Sequence, residues 1–543
     1  MSADRISDGQ YNIGYICTTQ QCEDGRSSQT AFSLVSPSME VTNFTFRDLD
    51  TQSNRFANVL QELGLSKGDV VFTFLPKVPE QFFALLGILK FRAIAGTLFS
   101  TFGEAALHDR IGDARAKCLI TKKSLLKKVS AIRSKLPHLT CVMCIDLDEH
   151  QPDGILSFKK LMGEASPSYS VSRTPPDVPS FLHYTSGSTG KPKGVIHVHG
   201  AVTHIRRTST QVLNLSPAEV YWCTADQGWI TGTSYGIVGP WSLGVSQVHF
   251  AGKYSPEGWM RILSEQRVTV FYTSPTALRM LMQEPDSFYA QFDFSHLKHI
   301  FSVGEPLNPE VIQWSRRVFS RDIYDTWFQT ETGGIMISNK PGMEVRPGSM
   351  GKPVDGVDAA VLSGDGQPAG DGQRGFLCLK PGWDSMFATY LFNETAYRAR
   401  FKHGFYFTGD TALRDSFGYF WFAGRSDDVI NSAGHLISPF EVESVLLEVP
   451  QIAESAAIAA PDEMLFEKVV VFLVLRKNAQ WSKELDLEIK IYVSNRVSTT
   501  AMPKEIVVVS SLPKNNAGKI LRRVLKAQYL GLPVGDLSTF ETE

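Results

Sequence analysis

Short apolar runs that alternate with helical patterns restrict what this chain can fold into. Runs of four to eight residues, several rich in Val and Ile, recur as DVVFTFL, KCLIT, CVMCID, EVYWCTA, VTVFYTS and HIFSVGE. Amphipathic patterns that fit helices lie between such runs, for example at residues 80–91 and 309–319. This alternation predicts an α/β protein whose helices cover largely parallel sheets.

The pattern changes twice toward the C-terminus. Closely spaced aromatic strands and glycine turns at residues 375–425 predict a small β-rich subdomain. The order helix, strand, strand, helix, strand follows between residues 439 and 511, which indicates a compact α+β domain. Because 543 residues exceed one ordinary core, we predict a large N-terminal domain of several subdomains at residues 1–425 and a small mobile C-terminal domain at residues 426–543.

Charge and composition exclude several classes of partner. The net charge is −2, which gives no bulk attraction to nucleic acid or an anionic membrane. No basic segment followed by an apolar run opens the chain, and the longest uncharged run, residues 227–252, is broken by Gly, Pro and polar residues, so we expect neither a signal peptide nor a membrane span. Seven cysteines suit a reducing compartment, and we expect the cytoplasm. Cys141 and Cys144 form a CxxC inside an apolar run, which favours buried strand thiols over zinc or redox chemistry.

The stretch HYTSGSTGKPKGV (residues 183–195) has the composition of a phosphate-binding loop. Glycines let the backbone approach an anion closely, hydroxyls donate to phosphate oxygens, and lysines neutralise charge. It is not a Walker A loop, because Pro192 stands where that motif has Ser or Thr and Thr185 stands where it has its first glycine. The candidate phosphate-loop residues are Thr185, Ser186, Gly187, Ser188, Thr189, Gly190, Lys191 and Lys193.

Other polar residues stand where a nucleotide and a metal could bind. Asp410 follows Gly409 at the end of an aromatic strand, well placed to accept both ribose hydroxyls. Glu331 lies in a Thr-Glu-Thr-Gly turn and could supply a hard oxygen ligand to Mg²⁺, although a plain glutamate at a helix N-terminus would look the same. The histidines His197, His199 and His204 lack a further strong ligand pattern, so we do not expect zinc.

Six segments, in order, resemble motifs of the adenylate-forming superfamily, which contains acyl-CoA synthetases, luciferases and peptide-synthetase adenylation domains. YTSGSTGKPKGV resembles its phosphate loop, and VGEPLNPE and YDTWFQTETGG resemble its adenine- and ribose-side segments. FTGD resembles its ribose-binding strand end, GRSDDVINSAGH its hinge, and LPKNNAGKILRR its C-terminal lysine loop. The resemblance extends from about residue 45 to residue 525.

The resemblance implies a reaction that uses ATP, Mg²⁺ and CoA, in either direction. ATP and a carboxylate form an acyl-adenylate, and after rotation of the C-terminal domain a thiol attacks it. Lys519 would be the catalytic residue, stabilising charge near the α-phosphate. Glu331 would bind the metal, Asp427 would be the hinge, and the CoA arm would pass Gly434. The implied nucleotide-binding residues are Gly304, Glu305, Pro306, Asp325, Thr326, Gln329, Thr330, Asp410 and Arg425.

The segments TADQGWITGTSYG (residues 224–236) and DTWFQTETG (residues 325–333) are most similar to the acetyl-CoA synthetase branch, and they imply the acid. Acyl-pocket positions would be Trp229, Ile230, Thr231, Val303, Trp327 and Phe328. Phe328 would close the pocket to a short acid, acetate first and propionate next, although acetate enzymes usually carry a larger tryptophan there. One methylene is worth only about 1–3 kcal/mol of discrimination, so longer, branched or cyclic acids stay open.

Details outside these motifs bear on the partners. The chain ends at residue 543, shortly after the lysine loop, so we expect free CoA as the acceptor rather than a fused carrier domain. Leu436 stands where relatives often carry Arg or Lys, and the lysines at 122, 123, 127 and 128 fit a solvated helix face better than a CoA phosphate site. We expect small-molecule substrates, no nucleic acid and no membrane, and leave a homodimer open.

Three alternatives share parts of this pattern. One is an enzyme of the same fold whose second step is luciferase-like oxidation or transfer to a separate carrier protein. Another is a nucleotide-binding regulatory relative, which is expected to lack Lys519, Asp410 or Glu331, and all three are present. The third is a P-loop NTPase, which Pro192 disfavours.

Overall fold

The computed structural model of the protein describes residues 9–185, 192–426, 428–432, 435–477, 479–514 and 519–534. The first part contains α1 (Ile13–Cys17), α2 (Thr19–Gln21), a π-helical turn (Cys22–Arg26), β1 (Thr30–Val35), β2 (Val41–Thr45), α3 (Phe46–Glu62), β3 (Val70–Phe74), α4 (Pro79–Phe91), β4 (Ile94–Leu98), α5 (Glu104–Asp113), β5 (Cys118–Thr121), α6 (Lys123–Arg133), β6 (Cys141–Cys144), β7 (Ile155–Ser157) and α7 (Phe158–Glu164).

The middle part carries the segments that resemble nucleotide and acid sites. It contains β8 (Pro179–Thr185), β9 (Lys193–Val198), α8 (Ala201–Gln211), β10 (Val220–Cys223), α9 (Ile230–Thr233), a π-helical turn (Ser234–Val238), α10 (Gly239–Ser242), β11 (Ser246–Phe250), α11 (Pro256–Glu265), β12 (Val270–Thr273), α12 (Pro275–Leu281), α13 (Asp286–Tyr289), β13 (His299–Val303), α14 (Pro309–Val318), β14 (Ile323–Trp327), β15 (Ile337–Ser338) and β16 (Ser349–Pro353).

The last part is strand-rich and then mixed. It contains β17 (Ala359–Leu362), β18 (Arg374–Leu379), β19 (Thr389–Tyr390), α15 (Glu394–Arg398), β20 (Phe401–Lys402), β21 (Phe405–Arg414), β22 (Phe420–Arg425), β23 (Ile430–Ser432), β24 (His435–Ile437), α16 (Pro439–Leu447), β25 (Ile452–Asp462), β26 (Phe466–Leu475), α17 (Lys483–Arg496), a 3₁₀ turn (Thr499–Ala501), β27 (Glu505–Val508) and α18 (Arg522–Leu530).

Two large sheets form the N-terminal domain. The first has eight strands in the order β19-β9-β8-β4-β3-β5-β6-β7, and its strands from β8 through β4 to β7 pair in parallel. All five residues of β3 are buried, as expected of a strand covered on both faces. The antiparallel hairpin β8–β9 sets Thr185 opposite Lys193, so the ends of the candidate phosphate loop lie side by side.

The second sheet positions the remaining candidate segments. Its strands β1, β11, β10, β12, β13 and β14 pair in parallel in that order. In the register of β13 and β14, Val303 lies opposite Thr326. Because parallel strands end at the same edge, the segments after Val303 and after Trp327 lie next to each other.

The predicted β-rich subdomain is present, but its strands also continue the second sheet. β16 pairs with β15 on one side and with β22 on the other, and β22, β21, β18 and β17 follow as antiparallel neighbours. Sequence patterning could not predict this connection, since it depends on pairing between distant segments.

The small C-terminal domain has its own five-stranded sheet, with β24-β23-β26-β25 in order and β27 beside β26. Contacts between described residues join it to the N-terminal domain. Asn308 Nδ2 donates to Ser444 Oγ at 2.9 Å, and Arg374 Nη2 pairs with Glu441 Oε1 at 2.7 Å. The Phe422 and Phe440 rings pack with centroids 6.2 Å apart.

For most predicted elements, at least one end in the structure lies within one or two residues of the predicted end. Residues 309–319 were expected to be helical and form α14, and the run KVVVFLVL lies within β26. Cys141 and Cys144 are buried at the two ends of β6, as predicted. In the described part of the chain, each helix is too short or too polar to span a bilayer.

Candidate active site

Asp410 is a buried carboxylate in the middle of β21. Its Oδ2 accepts hydrogen bonds from Trp327 Nε1 at 3.1 Å and Gln329 Nε2 at 2.9 Å. Its Oδ1 is buried, makes no hydrogen bond, and lies 3.3 Å from Nη1 of Arg425, its cross-strand partner. Burial raises the pKa of this carboxyl, while Arg425 and Lys519 act in the opposite direction. A buried carboxylate with one free oxygen suits a ligand that carries hydroxyl donors.

Gln329 ties the end of β14 to the strand that carries Asp410. Besides its bond to Asp410, its Nε2 donates to Thr408 O at 3.1 Å, and its Oε1 accepts from Tyr406 at 3.2 Å. Trp327 also faces Asp410, whereas Phe328 faces the helical side. Neighbouring residues of an extended chain point in opposite directions. Trp327 therefore contacts Asp410 through its indole N–H, and its expected place in the acyl pocket stays a prediction.

The segment after β13 carries a second acidic group. Glu305 Oε2 accepts from Thr276 Oγ1 at 2.7 Å and from Arg279 Nη2 at 2.8 Å, and Gly304 before it has a φ of 89°. On the adjacent strand, Asp325 is buried and accepts from Ser302 Oγ at 2.6 Å, and burial raises its pKa to about 7.

Thr326, the neighbour of Asp325, is held on the same strand. Its Oγ1 shares a hydrogen bond with the Tyr272 hydroxyl at 2.7 Å and donates to Ser302 O. These contacts hold the edges of β13 and β14 where a nucleotide base could lie between the two loops.

Hydrogen bonds to its backbone carbonyls hold the loop of residues 330–335 in place. Each of its six carbonyls accepts a hydrogen bond. Glu331 O accepts from Phe387 N, and Gly334 O accepts from Thr332 Oγ1 within the loop. The other donors are side chains: His197 to Thr330 O, Trp383 and Ser385 to Thr332 O, Ser234 to Gly333 O, and His204 to Ile335 O.

Glycine is required where this loop meets the two histidines. A Cβ atom at Gly333 would lie 2.7 Å from His197 Cε1, and one at Gly334 would lie 2.7 Å from His204 Cδ2. Burial lowers the pKa of both imidazoles to about 4, so they are neutral at neutral pH and donate through Nε2. His199 Nδ1 accepts from Ile13 N at 3.1 Å. All three histidines thus bond to backbone groups.

The side chain of Glu331 contacts two residues that the sequence did not predict, Tyr390 and Arg400. Its Oε1 accepts from the Tyr390 hydroxyl at 2.7 Å and lies 3.7 Å from Arg400 Nη2. Lys193 Nζ lies 5.6 Å from the centre of the Tyr390 ring. Tyr390 reaches Glu331 because β19 pairs with β9, a long-range contact that leaves no local signal in the sequence.

The candidate acyl-pocket residues form two neighbouring groups. Ile230 and Val303 belong to one core cluster, against which the partly buried Phe328 packs. Thr231 is buried beside Ile230 in α9. Trp229 packs instead against Phe99, with ring centroids 5.0 Å apart, at the border of the first sheet's core.

Lys519 enters the same cleft from the C-terminal domain. It is exposed, but it lines the cleft between the domains together with Glu305 and Arg279. Although the residue as a whole is exposed, desolvation of its amine, together with the charges of Arg425 and Arg522, lowers the pKa of that amine, and Asp410 and Glu305 oppose this change. Arg522 Nε, at the start of α18, donates to the buried Glu443 at 2.8 Å and so anchors the chain just after Lys519.

Some predicted residues lie outside the described part of the chain. They are Ser186, Gly187, Ser188, Thr189, Gly190 and Lys191 of the phosphate loop, the predicted hinge Asp427, and Gly434. Of the phosphate loop, Thr185 and Lys193 are described at the ends of β8 and β9.

The buried histidines predict an acid-sensitive loop. The folded pKa of His204 is about 4 against 6.5 when unfolded, so the stability it contributes is complete above pH 6.5 and is lost as pH falls toward 4. A protonated ring would also turn an N–H toward Arg207, which donates to Nδ1 at 3.0 Å. In His204→Gln, the slope of unfolding free energy against pH in this window should fall by up to about 1.4 kcal/mol per pH unit.

Urea unfolding followed by tryptophan fluorescence at a series of pH values measures this slope. The matched control is His138→Gln at an exposed position, which should keep the wild-type slope. An unchanged slope in His204→Gln would contradict the neutral, buried state of this imidazole.

Comparisons with known proteins agree with this geometry. A family model described as AMP-binding enzyme matches residues 20–391, and one described as AMP-binding enzyme C-terminal domain matches residues 441–519. The acetyl-coenzyme A synthetase of Bacillus subtilis strain 168 is 42% identical over 535 residues, which are 98% of this chain and 93% of the relative. That of Pasteurella multocida strain Pm70 is 36% identical over 568 residues, 99% of this chain and 87% of the relative.

Solved structures give the same result. The anthranilate CoA ligase AuaEII in complex with anthranoyl-AMP superimposes with a TM-score of 0.88 at 29% identity, covering 97% of this chain and 99% of that one. An acyl-CoA synthetase of Brucella canis superimposes with a TM-score of 0.75 at 32% identity, covering 96% and 95%. With two matching domain models and relatives similar over nearly their full length, this chain belongs to the AMP-binding enzyme family, the adenylate-forming superfamily.

Proposed function

We propose that the protein is an AMP-forming acyl-CoA synthetase that joins a short carboxylic acid, acetate first and propionate next, to CoA. The observation that carries the proposal is that Lys519 of the C-terminal domain lines one cleft with Glu305 of the N-terminal domain, close enough to Asp410 for the two charges to interact. Curated relatives at 35–42% identity named acetyl-coenzyme A synthetase support the acid.

The chemistry requires two steps. A thiol does not displace oxide from a carboxylate, so a carboxylate oxygen first attacks the α-phosphorus of ATP, and the bond to the β-phosphate oxygen breaks to release pyrophosphate. The thiolate of CoA then attacks the carbonyl carbon of the mixed anhydride, and AMP leaves with the bonding electron pair. The same steps run in reverse form ATP from acyl-CoA, AMP and pyrophosphate.

The nucleotide is held by the groups around Asp410. Its free Oδ1 accepts from the ribose hydroxyls, while Trp327 and Gln329 fix the carboxylate from the other side. Gly304, Glu305 and Pro306 cover one side of the base, and the segment Asp325–Thr326 covers the other, with Thr330 four residues further along the chain. Arg425 adds a positive charge beside the ribose. The loop between Thr185 and Lys193 holds the leaving phosphates.

Lys519 supplies positive charge to the first step. Desolvation by the protein favours loss of its proton, but Asp410 and Glu305 favour the ammonium form, which is the form that can stabilise negative charge. Such a preorganised donor is worth most where water is excluded, as in a cleft closed by a second domain.

Glu331 is suited to hold Mg²⁺. The described residues contain no group of three His, Cys, Asp or Glu side chains that could form a full protein cage for a metal. A single carboxylate fits Mg²⁺, which usually keeps several waters and binds substrate phosphates. The ion would neutralise charge on the phosphates of ATP, and Tyr390 and Arg400 fix the orientation of the carboxylate.

The second step uses the mobility of residues 426–543, with Asp427 as the hinge after the N-terminal domain of residues 1–425. β22 ends at Arg425 and the next sheet begins at Ile430, which supports this boundary. The CoA arm passes Gly434 to reach the acyl group.

We place the reaction in the cytoplasm, with small molecules as substrates, and a homodimer is compatible with the site because both domains that form it belong to one chain.

The acid preference follows from the proposed acyl-pocket residues, which are Trp229, Ile230, Thr231, Val303, Trp327 and Phe328. Because Phe328 closes the proposed pocket, kcat/KM should be highest for acids of two or three carbons. A further methylene group that does not fit the pocket should lower kcat/KM about 10- to 200-fold. AMP release with CoA and acids from C2 to C8, together with aromatic and cyclic acids, measures this. A preference for acids above C4 would contradict the short-acid proposal.

Lys519 should serve the first step alone. Lys519→Ala is expected to lower acid-dependent ATP–pyrophosphate exchange by at least about 100-fold, as loss of one preorganised donor does, while leaving thioester formation from supplied acyl-adenylate largely intact. The matched control is Lys514→Ala, since Lys514 bonds to Glu454 of its own domain at 2.7 Å. Equal loss of both steps in Lys519→Ala would rule out the assigned role.

A further inference from the structure

The helical segment of residues 230–242 contains a π-helical turn where it faces the loop of residues 330–335. α9 runs into the π turn Ser234–Val238, and α10 follows it. The wider turn presents two consecutive side chains, Ser234 and Tyr235, to the same loop: Ser234 Oγ donates to Gly333 O at 2.6 Å, and the Tyr235 hydroxyl accepts from Ile335 N at 2.7 Å. π turns inserted in α-helices occur often at functional sites.

Tyr235 is fixed on all sides. It is 0% exposed, and its hydroxyl also bonds to Thr208 Oγ1 at 2.7 Å. Its ring packs against Tyr272 at 6.1 Å and edge-on against Phe328 at 5.4 Å between ring centroids, with 74° between the planes. The hydroxyl bonds hold the outer end of the tyrosine ring in place, so its edge stays against the Phe328 ring.

We propose that Tyr235 is a specificity-determining positioning residue that holds Phe328 across the acyl pocket and thereby limits the length of the acid. This inference rests on the proposed acyl-CoA synthetase function and deepens it. Phe328 is only partly buried, and it packs against two core clusters, one that contains Tyr235 and one that contains Trp327. Its position depends on the buried tyrosine behind it, because close-packed interiors hold a side chain only where neighbouring atoms fill the space.

Two substitutions separate the ring of Tyr235 from its hydroxyl. Tyr235→Leu removes the ring edge, so Phe328 can tilt into the space and longer acids gain room. Tyr235→Phe keeps the ring but leaves Ile335 N–H without its acceptor, which loosens the loop without opening the pocket. We expect Tyr235→Leu to raise the butyrate-to-acetate ratio of kcat/KM about 10-fold or more. Tyr235→Phe should keep a ratio close to wild type while lowering kcat/KM for every acid.

A binding measurement tests the same inference without turnover. Alkyl esters of AMP from ethyl to hexyl carry the chain into the pocket, and calorimetry gives their Kd. Tyr235→Leu should tighten the longer esters relative to ethyl-AMP. Because it loses the same hydroxyl bonds as Tyr235→Phe, the two variants should have the same KM for ATP in the turnover assay. Tyr289→Phe is the matched control: Tyr289 is equally buried and bonds to Leu281 O, away from the pocket. It should leave both profiles unchanged.

The outcomes distinguish this inference from the proposed function. An unchanged chain-length ratio in Tyr235→Leu, or a rise in the KM for ATP as large as that for the acid, would overturn the role of Tyr235. If Tyr235→Leu does not fold, Tyr235→Met, which refills most of the volume with a flexible chain, replaces it with the same expectation. A wild-type protein that forms no AMP with any acid would overturn the proposed function, and the alkyl-AMP affinities would still decide the role of Tyr235.

Discussion

The active site depends on one short backbone segment whose carbonyl groups require hydrogen-bond donors. The carbonyls of residues 330–335 are all bonded, by donors that come from β9, α8, the π turn and the segment before β19. A buried polar group without a partner costs about 1–3 kcal/mol, so loosening one donor disturbs the whole segment. Phe328, Gln329 and Glu331 lie on or beside it. The acid pocket, the ribose contact and the proposed metal ligand are therefore positioned by one network.

The acyl pocket illustrates how a site can have its boundary in a second layer of residues. Phe328 faces the pocket, but the residue that restricts its motion is Tyr235, whose hydroxyl is bonded to two other elements. The size of the side chain at position 328 alone thus does not determine the length of acid that fits. On the proposed role of Tyr235, the firmness of the support of Phe328 matters as well.

Local patterns in the sequence predicted much of this structure. Apolar runs such as Val70–Phe74 and helices such as Pro79–Phe91 follow from residue types within one element. The candidate site residues could be named from their motifs, and the structure brings Asp410, Gln329 and Trp327 together. Contacts between distant segments could not be predicted. Tyr390 lies 59 residues from Glu331, and the apolar segment 230–242 has no periodicity that would indicate a π turn.

The pairing of Asp410 with Arg425 has a consequence for energetic linkage. Arg425 is the last residue of β22 and the next sheet begins at Ile430, so one residue takes part in the nucleotide site and adjoins the start of the second domain. Lys519, from that second domain, also acts on the charge of Asp410. With the nucleotide bound as proposed, a reorientation of the C-terminal domain would change the affinity for the nucleotide. By reciprocity, a bound nucleotide changes the equilibrium between domain orientations by the same free energy.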